Sequence, residues 1–167
     1  MTPTRMTASI KAPITRDPKL DLVLERVVDV PTELVWQCWT VPEYLMPWFC
    51  PKPWRTTECD INLRPGGKFR TVMEGPNGER VDNTGCFLEI IPNERLVWTS
   101  AFREGYRPNA MGDADFPFTA VISLETVAGG TKYTAHVMHA DEAATKKHAE
   151  MGFHGGWGSA LDQMVAM

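Results

Sequence analysis

Hydrophobic and polar residues alternate along most of the chain, which is the pattern of strands that bury one face. The first such segment is residues 20–30, with leucine or valine at positions 20, 22, 24, 28 and 30. Comparable segments follow at residues 55–63, 68–74, 80–91, 96–103, 116–126 and 131–139. Because short turns rich in Gly, Pro and Asn join most of these segments, the pattern predicts an antiparallel meander.

The period changes to that of a helix in two places after the first strand. Residues 31–41 begin with a proline, which fits the first turn of a helix. An apolar stripe follows in this segment, made of Leu34, Val35, Cys38 and Trp39. A second short helix is predicted over residues 43–49, before several closely spaced prolines.

The C-terminal segment, residues 141–167, has a helical period that four glycines interrupt. Asp141 is a plausible N-cap, and an apolar residue recurs every fourth position at Phe153, Trp157, Leu161 and Val165. Each interior glycine costs about 0.5–1 kcal/mol, whereas burying each large side chain contributes about 1.5–3 kcal/mol. The segment is therefore predicted to be one long helix with a kink near residues 152–158.

These elements predict an α+β fold in which a curved antiparallel sheet of about six to seven strands wraps around the C-terminal helix. Two short helices follow the first strand. Residues 19–167 are expected to form a single domain, and residues 1–18, rich in Thr and Pro, a flexible lead-in.

The net charge and the cysteine spacing limit the classes of partner and the cellular location that are expected. The formal net charge is −4, without the clusters of Lys and Arg on which nucleic-acid and membrane-surface binding depend, so neither partner is expected. The four cysteines lack metal-ligand spacing, and no segment reaches the length of a membrane span. The sequence thus favours a cytoplasmic protein with reduced thiols.

Several segments together resemble the START-like, or SRPBCC, superfamily. They are VDVPTELVWQCWTVPEYLMPWF, LRPGGKFR, GCFLEIIPNERLVWT, GGTKYTAHV and GWGSALDQM, in this order along the chain. The match is closest to the branch related to the C-terminal domain of the activator of Hsp90 ATPase. The resemblance implies a helix-grip fold with a cavity between sheet and helix. It does not imply one activity, since relatives include lipid carriers, polyketide cyclases and chaperone regulators.

Motifs for catalysis or metal binding are weak. The glycine-rich stretches at residues 65–68 and 152–158 lack the pattern of a phosphate-binding loop, and no catalytic triad is recognisable. His139 and His154 are the only two histidines expected to meet, with Asp141 or Glu58 as a third ligand. Histidines that are solvated or hydrogen-bonded are the better interpretation, so neither a metal nor a cofactor is predicted. Catalytic residues are not assigned.

The abundance of Trp, Phe and Met favours an aromatic-lined cavity that binds a small hydrophobic or aromatic ligand. A long loop at residues 104–115 is a candidate lid. Glu58 is a further candidate polar group at the cavity. The predicted ligand-binding residues are Trp98, Phe118, Tyr133, His139, Phe153, His154, Trp157 and Leu161.

Two other functions use the same features. The first is an enzyme of the polyketide cyclase, dehydratase or hydrolase type, with His139, His154 or Tyr133 as acid and base. The second is an interaction module that regulates a chaperone, as an Hsp90 activator does. The sequence leaves open whether the protein forms a homodimer.

Overall fold

Seven antiparallel strands form the main sheet in the computed structural model, which describes residues 13–112 and 115–167. Most of the predicted lead-in, residues 1–12, lies outside the described residues. Two further short strands in the described part of the chain pair with each other outside this sheet. The strands are β1 (Asp21–Val28), β2 (Arg55–Ile61), β3 (Lys68–Glu74), β4 (Arg80–Ile91), β5 (Arg95–Thr99), β6 (Phe102–Arg103), β7 (Arg107–Pro108), β8 (Phe118–Val127) and β9 (Gly130–His139).

Four α-helices accompany the sheet in the described part of the chain. They are α1 (Thr32–Thr40), α2 (Pro42–Leu45), α3 (Glu142–Glu150) and α4 (Phe153–Val165). Both predicted short helices after the first strand are present, but α2 ends at Leu45, four residues before the end predicted for it. None of the helices within residues 13–112 and 115–167 is long and apolar enough to cross a membrane.

The strands are ordered β1-β9-β8-β5-β4-β3-β2, so the first strand lies at one edge of the sheet, beside the last strand. Every neighbouring pair is antiparallel. The sequence-based prediction of a meander of six to seven strands is confirmed, and β3 and β4 have the predicted bounds. An α+β helix-grip architecture follows, with helix α4 packed against one face of the sheet.

The register of β8 and β9 sets which side chains face the helices. Ten pairs of residues lie opposite each other across these two strands, and of four successive pairs on one face, three belong to the hydrophobic core. The core pairs are Ala120 with Val137, Ile122 with Ala135, and Leu124 with Tyr133. The fourth pair, Phe118 with His139, continues the same face toward the N-terminus of β8.

The C-terminal segment forms two helices rather than the single kinked helix that its period predicts. Asp141 caps α3, with its Oδ1 accepting a hydrogen bond from the backbone N–H of Ala144 at 2.8 Å. Gly152 then adopts a left-handed conformation with φ of 94°, which separates α3 from α4. A residue with a side chain adopts this conformation only at a cost, so the break occurs at a glycine.

Candidate functional site

A cavity of about 450 Å³ lies between the concave face of the sheet and helix α4. This volume is in the range of small-molecule binding sites. The residues that line it come from α1, the loop after α2, several strands of the sheet and the C-terminal segment that contains α3 and α4. The lining residues are Trp39, Trp48, Phe49, Cys50, Pro51, Phe69, Thr71, Met73, Asn83, Trp98, Ser100, Phe118, Tyr133, His148, Met151, Gly152, Phe153, Gly156, Trp157 and Ala160.

Aromatic rings make up much of this wall and pack against one another. Trp39 contacts Trp48 at a centroid distance of 5.1 Å in an edge-to-face arrangement. Phe69 contacts Trp98 at 4.9 Å, and Trp98 contacts Phe118 at 5.4 Å, again edge to face. Such pairs contribute beyond the area they bury, so the wall is a packed and largely preformed surface.

The mouth of the cavity is at the break between α3 and α4. Met151, which precedes the break, is 69% exposed although its side chain lines the cavity. Across the opening, Asn83 on β4 is also an exposed lining residue. The sequence feature that places the opening is therefore Gly152, because its left-handed conformation ends α3 beside the cavity.

The described residues of the predicted lid, 104–112 and 115, are not among those that line the cavity. They form a short 3-10 turn and then β7. Gly105 donates a backbone hydrogen bond to Gly66 at 2.8 Å, and the side-chain amide of Asn109 donates to the carbonyls of Thr84 and Ser100. These bonds fix the segment against the end of the sheet. Residues 113–114 lie outside the described residues.

Five of the eight predicted ligand-binding residues line the cavity: Trp98, Phe118, Tyr133, Phe153 and Trp157. Leu161 is buried in the core one turn beyond the cavity wall. His139 is buried behind the wall, and His154 is exposed to solvent. The residues that the sequence missed include Trp39, Trp48 and His148. Trp39 was predicted only as part of the apolar stripe of the first short helix, because an apolar pattern does not distinguish a cavity wall from a filled core.

The indole N–H of Trp98 is the one buried side-chain polar atom without a hydrogen-bond partner among the described residues. Trp98 is 7% exposed and lines the cavity. An unsatisfied buried donor costs about 1–3 kcal/mol, so native structures rarely retain one without a function. The ring of Trp98 thus brings to the cavity wall a donor that has no acceptor among the described residues.

Tyr133 adds a hydroxyl to the wall. Nε1 of Trp39 donates to this hydroxyl oxygen at 3.1 Å, so the oxygen is held in place as an acceptor. Burial raises the pKa of the Tyr133 hydroxyl above its ordinary value. The group therefore stays protonated, and its role is that of a hydrogen-bonding group rather than a base.

His139 meets His148, not His154 as the sequence suggested. Nε2 of His139 lies 2.9 Å from Nδ1 of His148, and Nδ1 of His139 lies 2.8 Å from the carbonyl oxygen of Leu20. The break at Gly152 explains the difference, because α3 brings His148 back against the end of β9 while α4 carries His154 away. Burial, and secondarily the neighbouring His139, lower the pKa of His148 to about 4.

The other proposed polar groups lie elsewhere. Glu58 is exposed and accepts hydrogen bonds from Arg70 and Arg80, which hold its pKa below its ordinary value. Asp141 is occupied as the cap of α3. Within residues 13–112 and 115–167, no three His, Cys, Asp or Glu side chains are grouped as a metal ion requires. The set considered for a metal, His139 and His154 with Asp141 or Glu58, is not brought together.

Solved structures with the same fold come from several bacteria. A protein from Nitrosomonas europaea is 47% identical, with a TM-score of 0.86 over 90% of this chain and 95% of that chain. A protein from Arthrobacter aurescens is 26% identical, with a TM-score of 0.78 over 92% and 89% of the two chains. A protein from Rhodobacter sphaeroides, 24% identical with a TM-score of 0.78 over 93% and 96%, shares the fold. No curated protein matches the chain.

One family model matches residues 29–167, which include both short helices, β2 to β9 and the two C-terminal helices. Its description is activator of Hsp90 ATPase homolog 1-like protein. The match covers all but the first strand of the architecture that forms the cavity. The chain therefore belongs to the activator of Hsp90 ATPase homolog 1-like family, with the helix-grip fold of the START-like superfamily.

Proposed function

We propose that this protein binds a small, largely apolar or aromatic molecule in the cavity between the sheet and α4. The volume of about 450 Å³ and the aromatic wall support this function. A site of this kind typically combines a mainly apolar lining with a few polar groups that orient the ligand.

The observation that carries the proposal is the unpaired N–H of Trp98. A cavity that served only as a packing defect would gain nothing from a buried donor in its wall, whereas a ligand with an acceptor oxygen would satisfy it. The ligand is therefore an apolar body with at least one carbonyl, ether or similar oxygen. Diphenylmethane and benzophenone are suitable probes, because they differ in a carbonyl group.

Two glycines of α4 provide a matched test of the location. A Cβ on Gly156 would have only Pro51 nearby, at 3.8 Å, and Gly156 lines the cavity. A Cβ on Gly155 would meet nothing within 4 Å, and Gly155 is exposed. Gly156→Leu therefore directs a side chain into the cavity, while Gly155→Leu makes the same replacement on the solvent face of the same helix.

We expect benzophenone to quench tryptophan fluorescence saturably in the wild type and in Gly155→Leu. Gly156→Leu should weaken its binding at least about tenfold, since the new side chain occupies the ligand volume. Benzophenone should also bind about three- to tenfold more tightly than diphenylmethane. The proposal fails if Gly156→Leu binds both probes as tightly as the wild type does, or if neither probe binds.

An enzyme that uses the same cavity is the second candidate, and His148 is the residue that favours it. His148 lines the cavity, whereas His139 lies behind the wall and His154 is on the surface. A catalytic base is most effective with a pKa near the working pH, and the pKa of His148 is about 4. Proton abstraction at neutral pH is therefore less well supported than binding.

Regulation of a chaperone ranks third. The family description names an activator of Hsp90 ATPase homolog. A docking function needs a contiguous apolar or charged patch. The exposed large apolar residues belong to different elements of the fold, for example Val27 on β1, Leu34 on α1 and Val81 on β4. The cavity remains the feature with the clearest chemistry.

A further inference from the structure

Two histidines connect the backbone of the N-terminal segment to the cavity. The carbonyl oxygen of Leu20 lies 2.8 Å from Nδ1 of His139, and Nε2 of His139 lies 2.9 Å from Nδ1 of His148. His148 in turn lines the cavity. The order of these contacts fixes which nitrogen carries each proton.

A carbonyl oxygen only accepts hydrogen bonds, so Nδ1 of His139 carries a hydrogen and donates it to Leu20. A neutral imidazole has one N–H, which leaves Nε2 of His139 as an acceptor. Nδ1 of His148 must then be the donor in the contact between the two rings. When both rings are neutral, Nε2 of His148 is therefore left with a lone pair and no hydrogen.

The surroundings of His148 favour this neutral form. The rings of Phe116, Phe118 and Phe153 lie 5.1, 5.2 and 5.3 Å from its ring, measured between centroids. Its Nε2 forms no hydrogen bond with any residue that the structure describes. His148 lines the cavity, so a ligand bound there is the group that can supply the missing donor.

We propose that the ligand of this cavity carries a hydroxyl group that donates a hydrogen bond to Nε2 of His148, and that His139 is the positioning residue that keeps His148 in its acceptor form. This inference rests on the proposed binding function and specifies the ligand further. Trp98 and His148 both contact the ring of Phe118, at 5.4 and 5.2 Å between centroids. One ligand can therefore meet both, with an acceptor oxygen for Trp98 and a hydroxyl for His148.

A neutral hydroxyl fits better than a charged donor. The lining residues include no Asp or Glu, so an ammonium group in the described cavity would lack a counter-charge. Moving an isolated charge into such surroundings is far more costly than moving a hydroxyl that finds a partner. The ligand class is therefore a hydroxylated aromatic or alicyclic compound that also carries a carbonyl or ether oxygen.

The proton positions can be tested without any ligand. Long-range proton–nitrogen correlation NMR of the wild-type protein at about pH 8, where an ordinary histidine is neutral, distinguishes the two histidine tautomers. We expect His148 to carry its hydrogen on Nδ1, and we expect His139→Phe to give a population with the hydrogen on Nε2. A wild-type His148 with its hydrogen on Nε2 overturns the proposal, even if the variant does not fold.

The ligand preference is tested with para-benzylphenol and para-benzylanisole, in which the oxygen carries a hydrogen and a methyl group, respectively. We expect the phenol to bind about three- to tenfold more tightly to the wild type, and the difference to disappear in His148→Phe. Equal binding of the two compounds to the wild type, weakened in both cases by Gly156→Leu, overturns the hydroxyl preference but leaves the proposed function intact. Binding that Gly156→Leu does not change, or no binding at all, overturns both.

Discussion

At the scale of single residues, two tryptophans of the cavity wall can be compared directly. Nε1 of Trp39 donates to Tyr133, whereas Nε1 of Trp98 has no acceptor among the described residues. Both rings are buried, so replacing either one with phenylalanine removes a similar packed surface. Only the replacement of Trp98 also removes an unsatisfied donor. In the wild type such a donor lowers the free energy of unfolding by about 1–3 kcal/mol.

We therefore expect Trp98→Phe to lower the free energy of unfolding by about 1–2 kcal/mol less than Trp39→Phe does. Urea denaturation of the two variants and the wild type measures this difference. If both replacements lower the free energy of unfolding equally, Nε1 of Trp98 is not the unsatisfied donor described above.

His148 provides a prediction about pH. Its pKa in the folded protein is about 4, below the ordinary value of 6.5, because it is buried and next to His139. Between these values the unfolded chain binds a proton at this residue and the folded chain does not. Its contribution to stability is therefore fully present above the ordinary value and is lost as the pH falls from about 6.5 to about 4.

NMR titration of the wild type should give a midpoint for His148 near 4. Over the same range, the free energy of unfolding should fall more steeply for the wild type than for His148→Phe, which has no titrating group at this position. A midpoint near 6.5, or identical pH profiles of stability, would show that the surroundings of His148 do not favour the neutral ring.

At the scale of elements, the C-terminal segment shows what the periodicity cannot specify. The repeat of apolar residues predicts the face that packs on the sheet, and Phe153 and Leu161 are buried there. The repeat does not tell which of four glycines adopts a left-handed conformation. Because the break falls at Gly152, α3 turns back and His148 rather than His154 meets His139.

Two alanine substitutions test this account of the break. Gly152 has φ of 94°, and a side chain in the left-handed region costs about 1–2 kcal/mol, so Gly152→Ala should destabilise by about that amount. Gly155 lies exposed inside α4 with free space around it, so Gly155→Ala should stabilise by about 0.5–1 kcal/mol. Chemical denaturation distinguishes the two, and a gain in stability from Gly152→Ala would contradict the assigned conformation.

At the scale of the whole molecule, the sheet was largely predictable because each strand has a local sequence pattern, an alternation of apolar and polar residues. Alternation and turn residues placed β3 and β4 at their observed bounds, and the meander follows from short connections. The cavity was less predictable, because its wall combines residues that are distant in the sequence, such as Trp48 and Met73. Whether such residues fill a space or line it depends on packing over the whole domain.

The segment predicted as a lid shows the same difference between a local sequence signal and contacts that depend on the whole fold. The length of segment 104–115 is a local signal and suggests a mobile cover. Asn109 instead bridges Thr84 on β4 and Ser100 after β5, contacts that depend on how the sheet assembles. We expect access to the cavity to be controlled at the junction of α3 and α4, where Met151 is exposed at the mouth.

The central claim is that the cavity binds a ligand that accepts a hydrogen bond from Trp98. The most direct measurement follows the indole N–H signals of the six tryptophans by proton–nitrogen NMR during titration with benzophenone. The signal missing from Trp98→Phe identifies Trp98. The account predicts that this signal shifts saturably and more than that of Trp54, which is not among the residues that line the cavity. Saturable binding that leaves the Trp98 signal unchanged would contradict it.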